Sequence, residues 1–357
     1  MPVSLAVIIP NLNGKKMLKK CLDTLKEETF RDFRIYVVEN GSLDGSAAMV
    51  KRFYPEVVLI ELAQNTGFAK ANNIGIRQAI KDNGAQLKYV CPLNNDIELK
   101  ADYLEQLVRA AEDYRSKGIK VGVLAAKLMF SMERTLINTV GTLIQPDGSG
   151  MEKGFREPED GQFNKSEEIF GGCGAAVLYT REMLDAICYQ NKEGEDCYFD
   201  DDFFAYYEDL DVNYRSRLKG FRAFFVPQAL GYHLHSATCK SYSPFKSFHV
   251  HRNQYYVLLK DFPGPFLVIG LMLMPIRYIL LVLSVIFGKG PSANLKKNSK
   301  GGGIVGIVLS GWWDIIKALP WLMKKRRQIQ KGRIASWREF GRWLCTYKAS
   351  YRKMIFG

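Results

Sequence analysis

The sequence predicts an α/β protein built on a mostly parallel central sheet flanked by helices, and three observations carry that expectation. Near-continuous apolar runs recur along the first 125 residues, the segments between them place apolar side chains at helical spacing, and one run, Lys88-Tyr-Val-Cys-Pro-Leu-Asn-Asn-Asp96, ends abruptly in two amides and a carboxylate. An apolar run of this kind reads as a strand buried on both faces. The polar residues then fall at its carboxyl end, where open α/β sheets bind ligands.

Taken in order, Ser4–Pro10 reads as the first strand, and Leu18, Cys21, Leu22 and Leu25 fall at i, i+3, i+4, i+7 on the helix after it. Ile35–Glu39 is a second strand, stopped by Asn40-Gly41-Ser42-Leu43-Asp44-Gly45-Ser46, and a helix is expected from near Asp44 to before Pro55. Val57–Leu62 is a third strand, and Phe68, Ala71, Gly75 and Ala79 mark the buried face of the following helix. Lys88–Leu93 is a fourth, then come a helix near Asp102–Tyr114 and an apolar run, Val121–Ala125. After Ala126 the rhythm loosens into Gly, Pro and charged residues. It resumes at Gly171–Tyr179, read as a strand, with a helix from Arg181 and one more strand over Phe221–Val226. These boundaries give an α/β domain over 1–260, with halves at about 1–125 and 126–260, and a helical extension over 261–357.

The chain has 357 residues, 47% of them hydrophobic, which excludes a disordered protein. Its net charge of +13 is concentrated at one end. From Lys289 onward there are 16 Lys/Arg against two acids, whereas the 288 residues before hold 34 Lys/Arg against 35 acids. Seven cysteines without a CxxC pair favour reduced thiols, and the short apolar N-terminal run without a basic leader is not expected to be a signal peptide. Pro263–Gly288 is almost wholly apolar but is interrupted by Pro275 and Arg277, so a full span within 264–287 and a kinked, in-plane or re-entrant helical pair both stay open. All five Trp lie in the tail beside Lys324-Lys-Arg-Arg327, a composition suited to the headgroup level of an anionic membrane surface rather than to nucleic acid. The expected location is the cytoplasmic face of the inner membrane, peripheral or monotopic.

Four clusters have the residue types for chemistry. Asp96 could hold a divalent metal against the phosphates of a nucleotide, or Asn94, Asn95 and Asp96 could simply make a turn. Glu39, beside Asn40 and Ser42, could accept the N–H of a nucleobase or belong to a capping loop. Tyr206-Tyr-Glu-Asp-Leu-Asp211 opens a helix. Asp209 lies at or next to its N-cap and Glu208 and Asp211 project to a common side, a set that suits a general base or merely a cap. His233 or His235 could complete a metal site short of a second carboxylate. There is no GxxxxGK[ST] loop, no GxGxxG after the first strand, no HExxH and no GxSxG.

In sequence order, Val7-Ile-Ile-Pro-Asn-Leu-Asn-Gly14, Val37-Val-Glu-Asn-Gly-Ser-Leu-Asp-Gly-Ser46, Asn65-Thr-Gly-Phe-Ala-Lys-Ala-Asn-Asn73, Leu93-Asn-Asn-Asp96, Gly171-Gly-Cys-Gly-Ala-Ala176, Phe204-Ala-Tyr-Tyr-Glu-Asp-Leu-Asp211 and His233 through Arg252-Asn253 resemble the family 2 inverting glycosyltransferases of GT-A fold, most of all a rhamnosyltransferase-like branch. The resemblance implies transfer of one sugar from a nucleoside-diphosphate sugar to a lipid-linked or cell-surface polysaccharide acceptor, with Mg²⁺ or Mn²⁺. It implies Asp209 as catalytic base with Glu208 and Asp211 as supporting acids, and Asp96 with His233 as metal ligands. It places Pro10, Asn11, Asn13, Glu39, Asn40, Ser42, Asn65, Gly67, Phe68, Asn72, Asn94, Asn95 and Arg252 around the donor, and Gly172, Cys173 and Gly174 at the acceptor. Glu39 stands where the family usually has Asp, and Asn94 replaces the first acid of the metal-binding element. No QxxRW follows Asp209, which argues against a processive synthase. The alternatives are a nucleotidyltransferase on a related sheet and an inactive membrane-bound glycan-assembly protein.

Overall fold

A computed structural model describes residues 1–234, 243–286 and 303–350, and His235 lies outside them. Strands and helices alternate first: β1 (Leu5–Asn11), α1 (Lys15–Lys26), β2 (Phe33–Asn40), α2 (Ser46–Phe53), β3 (Val58–Leu62), α3 (Phe68–Asn83), β4 (Tyr89–Pro92), β5 (Ile97–Leu99), α4 (Tyr103–Ser116) and β6 (Val121–Phe130). Short strands follow, β7 (Ile137–Thr139), β8 (Thr142–Ile144), β9 (Gly150–Glu152) and β10 (Glu167–Ile169), then β11 (Val177–Thr180), α5 (Arg181–Ile187), β12 (Tyr189–Gln190), β13 (Asp196–Cys197), α6 (Glu208–Leu218) and β14 (Arg222–His233). Helices α7 (Pro244–Asp261), α8 (Gly264–Ile286), α9 (Gly303–Lys331) and α10 (Trp337–Thr346) complete the chain.

The main sheet has ten strands in the order β10-β14-β6-β11-β4-β1-β2-β3, with β5 added on β14 and β7 on β6. β1, β2, β3 and β4 are mutually parallel, β14 is parallel to β6, and β11 runs antiparallel between β4 and β6. Along β1, Leu5, Val7 and Ile9 enter one core and Ala6 and Ile8 the other, so the strand is apolar at nearly every position because both faces are covered. Leu18, Cys21, Leu22 and Leu25 are the buried residues of α1, as their spacing predicts.

Three boundaries differ from expectation. β6 continues past Ala126 to Phe130 because β14 pairs with it a second time, after a register shift between Val226 and Leu230, and carries His233 opposite Phe130. The strand expected from Gly171 begins only at Val177, since the glycine stretch before it is tied to α6 by side-chain hydrogen bonds. Finally, α8 is one helix with Pro275 inside it, not a pair. Among the described residues no helix is long and apolar enough to cross a membrane.

The chain divides into two compact units, Met1–Thr142 with Glu152–Thr238, and Leu143–Met151 with Cys239–Gly357. In the second, Arg277, the charge within the apolar run, reaches the fully buried Asp147 at 3.3 Å, and Gln254 donates to the Asp147 carbonyl at 2.9 Å.

Candidate active site

The carboxyl ends of β1, β2 and β4 meet in a buried polar row. The parallel register sets Asn11 opposite Glu39. Asn11 Nδ2 donates to Glu39 Oε1 at 2.9 Å and Oε2 at 3.0 Å, the Ser42 hydroxyl donates to Glu39 Oε1, and Asn95 Nδ2 donates to Asn11 Oδ1 at 2.6 Å. Pro10 precedes this row, beyond the last β1 residue paired with β4. The turn is closed by the Asn13 N–H on Ser42 Oγ at 2.8 Å and by Asn13 Oδ1, which accepts from Leu43 N at 2.8 Å. Asn94 Oδ1 is buried with no hydrogen-bond partner among the described residues, while its N–H donates to the Ala175 carbonyl at 2.7 Å.

A second layer joins β2 to α3. Asn40 Oδ1 accepts from Thr66 N at 2.8 Å, its amide donates to Asn65 Oδ1 at 3.1 Å, and Asn65 Oδ1 also accepts from Gly67 N at 3.0 Å. Gly67 has φ +87°, and a Cβ there would stand 2.6 Å from the Phe204 ring. Phe68 N donates to the Phe204 carbonyl at 2.6 Å. Asn72 is fully buried and its amide bonds the Phe68 carbonyl at 3.0 Å. Phe204, Tyr206 and Tyr207 have φ of 63°, 69° and 71°, left-handed backbone at three bulky residues, which costs about 1–3 kcal/mol each and gathers where sites store strain.

Asp96 and His233 come together because β5 pairs with β14, setting His233 opposite Ile97. His233 Nε2 is 3.4 Å from Asp96 Oδ1, and the side chains are 8% and 7% exposed. The other ring nitrogen, Nδ1, lies 2.8 Å from Asn138 Oδ1. An amide oxygen can only accept, so this contact suits an Nδ1–H imidazole whose Nε2 faces Asp96. That is how a protein fixes an imidazole for a cation, and the carboxylate and imidazole pair fits Mg²⁺ or Mn²⁺ with most remaining positions left to phosphate oxygens and water.

Asp209 lies in the first turn of α6, which starts at Glu208 with Tyr207 as N-cap. Its Oδ2 accepts from Gly174 N at 2.8 Å and its Oδ1 from Leu210 N at 2.7 Å. A Cβ on Gly174 would lie 2.9 Å from Asp209 Cβ, so the loop approaches this closely only as glycine. Asn213 grips the same loop, bonding Gly172 N at 3.2 Å and Gly172 O at 2.9 Å. Burial raises the Asp209 pKa above the ordinary carboxylate value although both backbone N–H bonds pull it down. Glu208 is buried, and burial plus the charges of Asp209 and Asp211 push it well above its ordinary value.

Asp211 acts on Glu208 through its charge and is itself held in an ion pair. It is fully buried and grips Arg215, whose Nε and Nη2 reach its Oδ2 at 2.8 and 2.6 Å, while Arg215 also donates to the carbonyls of Ile187 and Tyr198. Another acid, Glu152 on β9, also lies near Asp209. Ligand atoms of Glu152, Cys173 and Asp209 lie within 4.8 Å of one another, and Thr139 donates to Glu152 Oε2 at 2.5 Å. Burial and the Asp209 charge raise Glu152 to about 7, and burial with both carboxylates raises the Cys173 thiol. A protonated thiol and a carboxylate already bound by two N–H groups are poor hosts for a hard oxygen-seeking cation. Arg252 belongs to the second unit, on α7, where it faces Asp314 at 3.6 Å and the rings of Phe248 and Tyr256.

The sequence matches Glycosyl transferase family 2 over residues 6–188, just over half of the chain. The chain belongs to that family. It is 30% identical to the glycosyltransferase GlyA of Streptococcus pneumoniae over 115 residues, which is 31% of this chain but only 16% of GlyA. It is 24% identical to the N-acetylglucosaminyl-diphospho-decaprenol L-rhamnosyltransferase of Mycobacterium tuberculosis, across 68% of this chain and 80% of that protein. The crystal structure of GalNAc-T7 with UDP, GalNAc and Mn²⁺ superposes with a TM-score of 0.54 at 14% identity, over 72% of this chain and 48% of that one, which shows the GT-A fold. Within this family 2 chain, sequence reasoning missed Glu152, Asn138 and Asn213. The first two lie in the stretch after Ala126 where periodicity fails, and their partners are distant in sequence, so no local signal marked them.

Proposed function

We propose that this family 2 member is an inverting, non-processive glycosyltransferase that moves one sugar from a nucleoside-diphosphate sugar to a lipid-linked or cell-surface polysaccharide acceptor, with Asp209 as base. The observation that carries the reading is the Asp209 carboxylate, aimed by Gly174 N–H and Leu210 N–H and held by burial at a raised proton affinity. Asp209 takes the proton of the acceptor hydroxyl as that oxygen bonds to the anomeric carbon. The bond from that carbon to the diphosphate breaks on the opposite face, and the electron pair leaves with the nucleoside diphosphate. Asp96 and His233 would hold Mg²⁺ or Mn²⁺, which when bound supplies positive charge to the leaving diphosphate. The row Asn95, Asn11, Glu39 and Ser42 orients the nucleotide end of the donor, and Asn40, Asn65, Gly67, Phe68 and Asn72 shape the wall beside it.

Rhamnose is the candidate sugar, supported by the likeness to the mycobacterial L-rhamnosyltransferase. A cytoplasmic membrane-surface location is supported by apolar side chains exposed on α8 and α9 and by the basic tail. Replacing Asp209 with Asn keeps the shape and removes the base. Turnover with a matched sugar nucleotide should fall by about 10²–10⁴-fold while nucleotide affinity in calorimetry stays within about twofold. A variant that still turns over at the wild-type rate would move the base elsewhere.

A further inference from the structure

The second unit holds a cationic groove of about 470 Å³, lined by Met323, Arg326, Arg327, Gln330, Arg333 and Trp337. Gly264, the first residue of α8, also lines it, so the positive end of that helix faces the same space. Arg326 is pinned by Nη1 to the carbonyls of Leu259 and Phe262 at 2.8 and 2.7 Å, and Gln330 Nε2 to those of Lys260 and Asp261 at 3.2 and 2.9 Å. The groove wall is therefore preorganised. Arg333 Nη1 is buried with no hydrogen-bond partner among the described residues, and there no carboxylate lies within ion-pair distance of any of the three arginines. The nearest acid influencing Arg326 is the buried Asp261.

Apolar stripes lead into this groove from both helices. On α8, one turn beyond Gly264, Val268, Met272, Ile276 and Ile279 are spaced four, four and three apart and are 52%, 69%, 52% and 59% exposed. On α9, Leu309, Trp312, Ile316 and Leu319 are three, four and three apart, all exposed, and the next position four along is Met323 in the groove wall. A compact anion beside two exposed apolar stripes describes an amphiphile.

We propose that this groove binds the phosphate of an anionic lipid whose acyl chains lie along the α8 and α9 stripes. Arg327 and Arg333 supply the charge-assisted hydrogen bonds, Trp337 closes the groove at the headgroup level, and the stripes enter the leaflet. This rests on the membrane-surface reading above and goes beyond it, because general attraction to an anionic surface needs only charge, whereas a groove needs these two arginines.

Flotation of the full chain with vesicles of phosphatidylcholine, alone or with about one-third phosphatidylglycerol, separates the two ideas. The comparison is Arg327→Ala/Arg333→Ala against Lys331→Ala/Lys348→Ala, which removes equal charge from exposed positions outside the groove. The groove variant should lose about tenfold more affinity for the anionic vesicles than the control, and Arg333→Gln alone should show the same trend with an unchanged circular dichroism spectrum. Equal losses in the two double variants would overturn the groove while keeping the membrane reading. A wild-type chain that binds neither vesicle would overturn both. If inorganic pyrophosphate binds in calorimetry through Arg327 and Arg333 while flotation is unaffected by their loss, the groove serves a soluble phosphate and the lipid proposal fails.

Discussion

Glu152 and Asp209 show how much a site depends on one neighbour. Two carboxylates whose oxygens lie within 4.8 Å, both partly shielded from water, resist ionising together. Asp209 has two backbone N–H donors and Glu152 has Thr139 and the Cys173 thiol, so the proton stays longer on Glu152, up to about pH 7. As the proposed base, Asp209 must be unprotonated to act, so activity should rise as it ionises and show a second inflection near pH 7 when Glu152 follows. In Glu152→Gln the inflection near pH 7 should vanish while the lower one remains. A kcat/KM profile with the same two inflections in the variant would refute this coupling. The motif residues Asp209, Gly174 and Glu208 were readable in the sequence because they sit next to a helix start and a glycine loop. Glu152 was not, since a lone acid in an irregular stretch looks like any solvated charge.

At the level of elements, a buried carboxylate also joins one helix to another. Glu28, just after α1, is fully buried and both its oxygens accept from Leu104 N at 3.2 Å, so a side chain distant in sequence caps the first turn of α4. Burial is the main cause that raises its pKa from 4.5 to about 8. The sign follows: between these values the unfolded chain has lost the proton and the folded one keeps it, so this group's contribution to stability is full below about pH 4.5 and is lost as pH rises through 8. Glu28→Gln should therefore raise the melting temperature at pH 8–9 relative to wild type and change it little near pH 4.5. A melting difference that does not vary with pH would count against a buried, protonated Glu28. The pair Asp211 and Arg215 solves the same burial problem by charge compensation, four residues apart on one helix and both sealed from water.

Across the whole molecule, the sequence holds its excess positive charge in the last segment while the residues before it are nearly neutral. Exposed charges act on a surface over a Debye length, about 10 Å at 0.1 M salt and about 3 Å at 1 M. Binding of the chain to anionic vesicles should weaken steeply over that range in a sedimentation assay, and salt-independent binding would remove the electrostatic part of the membrane reading. By itself the sequence determined the alternation of strands and helices, the buried face of α1, the polar ends of β1, β2 and β4 and the family, because period, apolar run and motif are local properties of a chain. Only the tertiary structure decided that β11 runs antiparallel, that β14 bends through a register shift to bring His233 to Asp96, that Asp211 pairs with Arg215 and that Glu152 lies beside Asp209. Those outcomes depend on which distant segments pair, and pairing is fixed by burying both sheet faces and satisfying every buried polar group at once, a condition no short stretch records.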